Sequence, residues 1–307
     1  MKLGPLFLEG WQEFNQIKWG LRPIRLTLTS GDSLLPLVDV VYMVNRRGQI
    51  RQPPLNPYLA LSFQSTPTSL PSRLSRQWLD MGEKVALDMI QRGCASRVSL
   101  PPEIQDIRPW QWLGFEGVVR YTYHIDLPFD LHQADSTIRQ KIGKASKAGY
   151  RCERVSNMDH VIDCLRQTEE RQGFTHQLTT EDLITAGSLM GDEHFRAYVC
   201  YSPGGKPVSA RVVLFGPGAR TIDWVAGTAS EHLQTGATQL LIKMVMDDVH
   251  LAGAIGFDFA GANLPTVSQA KANWGGQLVS FFSIAPFGLL TLARDARSWW
   301  RHWRKRG

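Results

Sequence analysis

The sequence predicts a mixed α/β protein built from two tandem units and a terminal helix, and three observations support this fold class. Strand-like alternation and helix-like periodicity follow one another along the chain, with turn residues between them. Three consecutive strand-like runs in the second half are separated by Pro-Gly-Gly and Gly-Pro-Gly turns, which is typical of an antiparallel meander. The 307 residues, 43% of them hydrophobic, are enough to bury one large core or two ordinary ones.

The first half, residues 1–127, is expected to form the first unit. Runs rich in Val, Leu and Tyr predict strands at 24–29 and 35–44. Apolar residues recur every three to four positions over 71–92, which predicts a helix that begins at Pro71 and ends before Gly93. Three prolines between 52 and 58 exclude regular structure there, and alternating apolar residues predict a strand at 117–127.

The second half, residues 128–285, repeats the mixture of helices and strands more completely. Helices are predicted at 136–148, 158–172, 180–190, 235–251 and 265–272, and strands at 150–155, 195–201, 208–215, 221–226, 256–259 and 278–283. This order resembles the acetyltransferase (GNAT) topology, in which a mixed sheet splays between its fourth and fifth strands. The first half has a degraded version of the same order, so we expect two tandem GNAT-like units, the second of them complete.

The positive charge of the chain is concentrated in two short segments. The net charge is +6, from 34 basic and 28 acidic residues. Residues 139–154 contain six basic residues and one acid, and residues 294–307 contain the same numbers. This distribution predicts anionic partners that are met at two places.

The cysteines and the apolar segments predict a protein of a reducing compartment that does not cross a membrane. The four cysteines form no Cys-x-x-Cys pair and lie near no pair of histidines, so we expect neither a disulfide framework nor a metal site. Glycine, proline and glutamate interrupt the first fourteen residues, which argues against a signal peptide. The longest apolar stretch, about 281–293, is too short to span a bilayer. We therefore expect a cytoplasmic protein, with contact at the inner face of the membrane as a further expectation.

Four motifs lie between about residues 53 and 283. Residues 258–276 begin with Asp-Phe-Ala-Gly, continue with a short helical segment that contains Lys271, and end with Trp-Gly-Gly. Residues 139–149 read Arg-Gln-Lys-Ile-Gly-Lys-Ala-Ser-Lys-Ala-Gly, and the two other motifs are Trp112-x-Gly-Phe-(x)5-Tyr-Thr-Tyr and Arg171-x-Gly. Together they resemble the FemAB/FemX aminoacyl-transferase family within the GNAT superfamily.

The resemblance implies that Lys271 lies in an active site. The matching lysine of FemX-type enzymes is thought to stabilise the charge that develops as an acyl group moves from an ester to an amine. Ala270 precedes it where the family commonly has an aromatic residue. The alternative for Lys271 is a solvated surface lysine. Asp258 either orients substrate or a base at the end of its strand, or caps the following loop through backbone N–H groups, and the structural role is favoured.

The predicted helix start at 235–238 is a candidate phosphate site. It is where a GNAT enzyme holds the pyrophosphate of acetyl-CoA, because the N–H groups at Gly236, Ala237 and Thr238 and the helix dipole attract phosphate. Leu233 stands where the usual fingerprint has Arg or Gln. This departure counts against acetyl-CoA and favours aminoacyl-tRNA as the donor.

The basic helix at 136–148 is the second candidate phosphate site. Its cations recur at steps of three or four residues and share one face of the helix. The candidate phosphate ligands are Arg139, Lys141, Lys144 and Lys147, together with Arg171 on the following helix. They are expected to contact tRNA or a diphosphate-linked acceptor, and the alternative is a basic face that is merely solvated.

Residues 286–307 are expected to form a basic amphipathic helix. Its tryptophans fall in one sector and its arginines in the adjacent sector. This arrangement suits the headgroup region of an anionic membrane, and the alternative is that the tryptophans pack on the protein's own core. The candidate membrane contacts are Trp299, Trp300, Trp303, Arg301 and Arg304.

The sequence and the resemblance together predict an N-acyltransferase. It would transfer an aminoacyl group from aminoacyl-tRNA to an amine of a cell-envelope precursor or small peptide, with a lipid-linked acceptor among the candidates. No cofactor is expected to stay bound, and the co-substrate is aminoacyl-tRNA or acyl-CoA. Because no Ser/His/Asp order suggests a covalent mechanism, the acceptor amine is expected to attack directly, with Asp126 and Glu170 as candidate bases.

Two alternatives remain open on the sequence. One is an acyl-CoA-dependent N-acyltransferase of polysaccharide or lipid biosynthesis. The other is a non-catalytic, membrane-associated binding module that keeps the fold, an alternative that Ala270 and the broken pyrophosphate fingerprint support.

Overall fold

A computed structural model describes residues 4–29 and 36–288 of the chain. In chain order, its helices are α1 (Glu9–Trp19), α2 (Pro71–Arg92), α3 (Arg108–Trp112), α4 (Ser136–Lys147), α5 (Met158–Gln172), α6 (Thr180–Met190), α7 (Ala237–Leu251) and α8 (Pro265–Ala272). Its strands are β1 (Arg22–Thr29), β2 (Pro36–Val44), β3 (Ala60–Phe63), β4 (Val98–Ser99), β5 (Phe115–Asp126), β6 (Arg151–Val155), β7 (Phe195–Tyr201), β8 (Pro207–Leu214), β9 (Arg220–Thr228), β10 (Gly256–Asp258) and β11 (Gln277–Pro286). The predicted mixed α/β fold is confirmed.

The described residues divide into two compact units. The larger unit contains residues 4–20, 53–57 and 120–280, and the smaller unit contains residues 21–29, 36–52, 58–119 and 281–288. This division differs from the predicted boundaries at 127 and 285. The N-terminal helix α1 belongs to the larger unit because its buried Trp11 and Phe14 contact Trp224 of β9, with ring centroids 5.1 and 5.8 Å apart.

The larger unit contains one mixed sheet with the strand order β11-β5-β10-β9-β8-β7-β6. Strands β6 to β9 form an antiparallel meander, as the glycine- and proline-rich turns predict. Strand β10 is parallel to β9 and antiparallel to β5. The apolar face of α7 packs on this sheet and completes a core whose members include Leu241, Val245 and Val249.

The sheet of the larger unit opens between β9 and β10. Their parallel pairing joins residues 220–222 of β9 to residues 256–258 of β10. Strand β9 continues to Thr228, whereas β10 ends at Asp258. From Asp223 onward β9 therefore lies beyond the last residue of its neighbour, and the predicted splay is present here. We call this opening the fork.

The smaller unit has its own core around an antiparallel sheet of order β1-β2-β3. Strand β2 is almost entirely buried, and helix α2 contributes Trp78, Met81, Val85 and Met89 to the same core. The structure shows the predicted helix at 71–92 with the predicted bounds.

The predicted terminal helix and the described helices both bear on membrane contact. The predicted amphipathic helix of residues 286–307 lies almost entirely outside the described residues; Pro286 itself is the last residue of β11. Among the helices that the structure describes, none combines the length and the hydropathy that a bilayer crossing requires.

Candidate functional site

Lys271 lies next to the fork rather than in solvent. Helix α8 begins at Pro265, seven residues after the end of β10, and carries Lys271 in its last turn. The Lys271 Nζ donates hydrogen bonds to the carbonyl oxygens of Phe259 (2.6 Å) and Gly261 (2.5 Å). The ammonium group is also 5.7 Å from the ring centroid of Phe259. The interpretation of Lys271 as a solvated surface lysine therefore does not fit the structure.

Burial changes the acidity of Lys271. Loss of hydration disfavours the charged form and lowers the pKa of Lys271 to about 8, against opposing effects of the negative charges of Asp223 and Asp258. The positive charge of Arg211 acts in the same direction as burial. An amine whose pKa lies near physiological pH can both carry a positive charge and exchange a proton at that pH.

Asp258 holds the loop that contacts Lys271. Its Oδ1 accepts hydrogen bonds from the Thr122 hydroxyl (2.6 Å) and from the Ala260 N–H (2.8 Å). Its Oδ2 lies 3.4 Å from the His124 Nε2. Burial alone would raise the pKa of Asp258, but these neighbours outweigh it and leave the pKa lowered. This geometry is that of a loop cap, the role that the sequence favoured for Asp258.

The loop after β10 has an unusual backbone that these contacts maintain. Ala260 has a φ of 51° and Gly261 a φ of 114°. Residues that have a Cβ atom rarely adopt such positive φ angles. The Gly261 N–H donates to the Thr122 hydroxyl (3.0 Å), so Thr122 contacts both Asp258 and the loop. The result is a pair of carbonyl oxygens, at Phe259 and Gly261, directed at the same ammonium group.

A buried ion pair lies at the start of the fork. Arg211 on β8 and Asp223 on β9 are 8% and 6% exposed, and the Arg211 Nη1 contacts the Asp223 Oδ2. The pairing is incomplete, because the Arg211 Nε and the Asp223 Oδ1 are buried and have no hydrogen-bond partner among the described residues. Both charges act on Lys271, so the three groups form one electrostatic cluster.

The start of α7 is the second part of the site. Gly236 precedes the helix with a φ of 91°, and a Cβ atom there would lie 2.0 Å from the carbonyl oxygen of Lys141. Glycine therefore allows this turn to touch the backbone of α4. The N-cap Gly236 provides no side-chain cap, but the Ala237 N–H donates to the Thr235 hydroxyl (3.3 Å). The Thr238 hydroxyl lies 3.0 Å from that of Thr228, which ends β9. Free N–H groups at such a helix start can bind phosphate.

Arg171 braces the segment between β9 and α7. Its Nη1 donates to the carbonyl oxygen of Thr228 (2.7 Å) and to the Ser230 hydroxyl (3.2 Å). Its Nη2 donates to the Thr168 hydroxyl (3.2 Å), which also accepts from the Thr228 N–H. The predicted phosphate ligand Arg171 thus lies beside the start of α7, with these donors already engaged by the protein.

The basic helix α4 has cations that face solvent. Lys144 and Lys147 are exposed, and Lys141 is half-buried. No carboxylate of the described chain forms an ion pair with any of these three lysines, whereas Arg154 pairs with Asp192. Arg139 differs from the lysines because its Nη1 donates to the carbonyl oxygens of Ala134 and His132.

Helix α4 connects the two other parts of the site. At its N-terminal end, the Asp135 N–H donates to the carbonyl oxygen of Asn273, directly after α8 (2.8 Å). Farther along, the carbonyl of Lys141 touches Gly236 at the start of α7. The structure therefore brings together α4, α7 and α8, three of the segments in which the sequence predicted functional residues.

Other predicted residues lie elsewhere. Asp126 pairs with Arg220 at the end of β5, where it lies opposite Gly256, and its side chain is 89% exposed. Glu170 is exposed on α5. Trp299, Trp300, Trp303, Arg301 and Arg304 lie outside the described residues.

Sequence reasoning missed Arg211 and Asp223. A signal was present, because each is a lone charge in an otherwise apolar strand, Val-Ser-Ala-Arg-Val-Val-Leu and Thr-Ile-Asp-Trp-Val. A charge in such a strand must be paired or functional, since burial of an unpaired charge is very unfavourable.

A metal site is not evident in the described ranges. Residues 4–29 and 36–288 contain no group of three or more His, Cys, Asp or Glu side chains that could hold a metal ion. The four cysteines are free thiols in β6, β7, α5 and the segment after α2.

Comparison with solved structures gives three informative similarities. FemX aligns over 90% of this chain and 91% of its own, with a TM-score of 0.64 and 13% identity. The C-terminal domain of a protein described as a lysylphosphatidylglycerol synthetase from Agrobacterium fabrum aligns over 89% and 88%, with a TM-score of 0.56 and 11% identity. L-PGS from Bacillus licheniformis aligns over 87% and 86%, with a TM-score of 0.53 and 11% identity.

Sequence comparisons add no closer relative. No protein-family model matches the chain, and no curated protein is a significant match in sequence. The structural similarities therefore establish the fold alone: the chain has a FemX-like fold, and the expected resemblance to FemX is confirmed at that level.

Proposed function

We propose that the larger unit is an N-acyltransferase whose reaction centre is the fork between β9 and β10. The observation that carries this proposal is the position of Lys271, a buried ammonium group held by two carbonyl oxygens next to an opening of the sheet. Ligands commonly bind where strands of an α/β sheet separate, because backbone groups there have no strand partner. The FemX-like fold is consistent with this chemistry.

The reaction joins an amine to an acyl group and releases an alcohol. The lone pair of the acceptor amine attacks the ester carbonyl carbon of the donor, and a C–N bond forms. The ester C–O bond then breaks, and the leaving oxygen takes up the proton that the amine loses. Lys271 would stabilise the negative charge on the carbonyl oxygen between these two events, an effect worth several kcal/mol at other acyl-transfer sites, roughly 3–4 per donor.

The remaining segments supply phosphate binding. The start of α7 offers N–H groups, and the lysines of α4 offer unpaired cations next to it. Arg171 is proposed as a positioning residue for the segment before α7, because its donors contact Thr168, Thr228 and Ser230. An extended polyanion can contact both segments at once, which suits a tRNA better than a single pyrophosphate.

Aminoacyl-tRNA is the proposed donor. Leu233 replaces the Arg or Gln of the usual acetyl-CoA fingerprint, and it is partly exposed just before α7. One similar structure is described as a lysylphosphatidylglycerol synthetase and another as L-PGS. Lysylphosphatidylglycerol is a membrane lipid to which an aminoacyl group, lysyl, is joined. For this chain we propose an amine of a cell-envelope precursor or small peptide as the acceptor, met at the cytoplasmic face of the membrane.

An acyl-CoA donor is the second candidate. The observation that favours it is the start of α7 itself, where the N-cap residue is Gly236 and has no side chain to occupy the N–H groups of the first turn. A non-catalytic binding module is disfavoured by Lys271, because a buried lysine with a lowered pKa is unfavourable for stability and is more often kept for function.

Transfer of a radiolabelled amino acid tests the proposal. Bulk aminoacyl-tRNA charged with labelled amino acids is incubated with the protein and a panel of amine acceptors, which includes peptidoglycan precursors and short peptides. We expect label in an alkali-stable amide with the wild type and at least tenfold less with Lys271→Met, which removes the charge but keeps a long side chain.

The control variant is Lys84→Met, an exposed lysine of α2 in the smaller unit. It should transfer label at the wild-type rate. Equal rates for Lys271→Met and the wild type, with both proteins folded by circular dichroism, would remove Lys271 from the reaction.

A further inference from the structure

The incomplete ion pair at the fork points to a ligand. Asp223 has one oxygen on Arg211 and one buried oxygen, Oδ1, that accepts no hydrogen bond from any described residue. A buried carboxylate oxygen without a partner is costly, so native proteins seldom keep one without a role. Asp223 is also the first residue of β9 beyond the end of β10, which places this oxygen at the start of the sheet opening.

The other acidic residue of the site is already satisfied. Asp258 receives donors from Thr122 and Ala260 and faces His124, and its role in the loop accounts for it. The site also contains two cations, Lys271 and Arg211, that suit an oxyanion or a carbonyl oxygen. Asp223 is thus the group at the fork that can accept a hydrogen bond from an N–H group of a ligand.

We propose that the Asp223 carboxylate binds the α-ammonium group of the aminoacyl donor and thereby selects aminoacyl over simple acyl groups. This inference rests on the proposed function and names the feature of the donor that the site recognises. In an aminoacyl ester the ammonium nitrogen and the reacting carbonyl carbon are both bonded to one α-carbon. A site that holds the ammonium at Asp223 therefore places the carbonyl close by, where Lys271 can meet its oxygen.

The charges agree with this arrangement. Arg211 neutralises one oxygen of Asp223, and the ammonium would neutralise the other. An acetyl group has no donor for Asp223, so its binding would leave the Oδ1 buried and unpaired. A fully dry site built around buried polar groups discriminates against ligands that lack the partner by about 10⁴-fold or more. A single hydrogen bond to a charged group is worth about tenfold to a hundredfold.

The test compares aminoacyl-tRNA that carries amino acids other than lysine with the same preparation after chemical N-acetylation, which removes the positive charge and keeps the tRNA and the side chains. We expect the wild type to transfer the free aminoacyl group at least tenfold faster than the N-acetylated one. Asp223→Asn should lose this preference, with the rates for the two donors within about threefold of each other. An effect of Asp223 through Lys271 alone would lower both rates together and leave the preference intact.

Asp39→Asn is the matched control, because Asp39 is 4% exposed and is also paired with an arginine, Arg25, but lies in the smaller unit. It should keep the wild-type preference. Equal transfer of both donors by the wild type would overturn the role of Asp223 while the acyltransferase function stands, and this comparison needs no variant to fold. Transfer of neither donor would instead contradict the proposed function.

Discussion

At the scale of single residues, the site depends on one lysine whose surroundings lower its pKa. Lys271 is held by carbonyl oxygens, which solvate the ammonium form, and yet burial brings its pKa to about 8. The negative charge of Asp223 opposes this lowering of the pKa, so the charge of Lys271, on helix α8, depends on a residue of strand β9. At pH values below about 8 the ammonium form of Lys271 predominates, so its positive charge is present when an oxyanion forms.

The pH dependence of the reaction follows from the direction of this shift. Lys271 is mostly charged below pH 8 and mostly neutral above it, so a rate that requires its charge should fall as the pH rises through about 8. A rate limited only by deprotonation of the acceptor amine should instead rise. The measurement is kcat/KM against pH, with loss of donor in the absence of protein subtracted.

Lys271→Arg serves as the comparison, because a guanidinium group stays protonated over the whole range. Where this variant retains activity, its profile should lack the decline above pH 8. An alkaline decline of the same midpoint in Lys271→Arg would assign the titration to another group.

At the scale of elements, helix α4 links the reaction centre to the phosphate site. It contacts the end of α8 through Asp135 and the start of α7 through Lys141, and its exposed face carries Lys144 and Lys147. The lysines repel one another without acidic partners, which is unfavourable for the isolated helix. A bound polyanion would relieve this repulsion.

Charge reversal on α4 tests its role in binding. Lys144→Glu combined with Lys147→Glu should weaken binding of aminoacyl-tRNA, and the slope of log K against log salt should become smaller by about 2, since two phosphate contacts are lost. The matched control is Arg46→Glu combined with Arg47→Glu, which makes the same change in charge at an exposed turn of the smaller unit. Equal affinities and slopes in all three proteins would make α4 a plain solvated surface.

The sequence predicted the elements better than the contacts. The bounds of α2, α5, α6 and α8 agree with the periodicity and the capping residues, because those helices carry their own signals. Helix α1 was missed, since its apolar residues are few and its stability comes from packing of Trp11 and Phe14 on Trp224. The pairing of Arg211 with Asp223 depends on the register of two strands, which no local pattern encodes.

The position of Lys271 was predictable from the sequence, but its contacts were not. Its position on a short helix after a strand was predictable from the motif, and the motif also marked Gly261. That its ammonium group would meet the carbonyl oxygens of residues ten and twelve positions earlier depends on the backbone of one loop. This backbone is maintained by Thr122, from a strand more than a hundred residues away.

At the scale of the whole molecule, the candidate site is confined to one of two units. Its residues come from β5, α4, α5, β8, β9, α7, β10 and α8, all within residues 120–280. The smaller unit has a core of its own and contributes none of the proposed contacts.

The basic terminus, which lies outside the described residues, is proposed to contact an anionic membrane. Deletion of residues 294–307 removes six basic residues and three tryptophans. It should reduce cosedimentation with vesicles of phosphatidylglycerol and phosphatidylcholine, and pure phosphatidylcholine vesicles are the control. Unchanged cosedimentation would assign the tryptophans to the protein itself.

Transfer of an aminoacyl group by this fold requires that the protein bind aminoacyl-tRNA, and donor binding can be measured before the acceptor is known. The purified protein is titrated side by side with bulk aminoacyl-tRNA, acetyl-CoA and a longer acyl-CoA. We expect saturable binding of aminoacyl-tRNA that weakens with salt, and no saturable binding of either CoA ester. Saturable binding of a CoA ester without binding of aminoacyl-tRNA would contradict the proposed donor, and binding of none of the three would contradict the assignment as an acyltransferase.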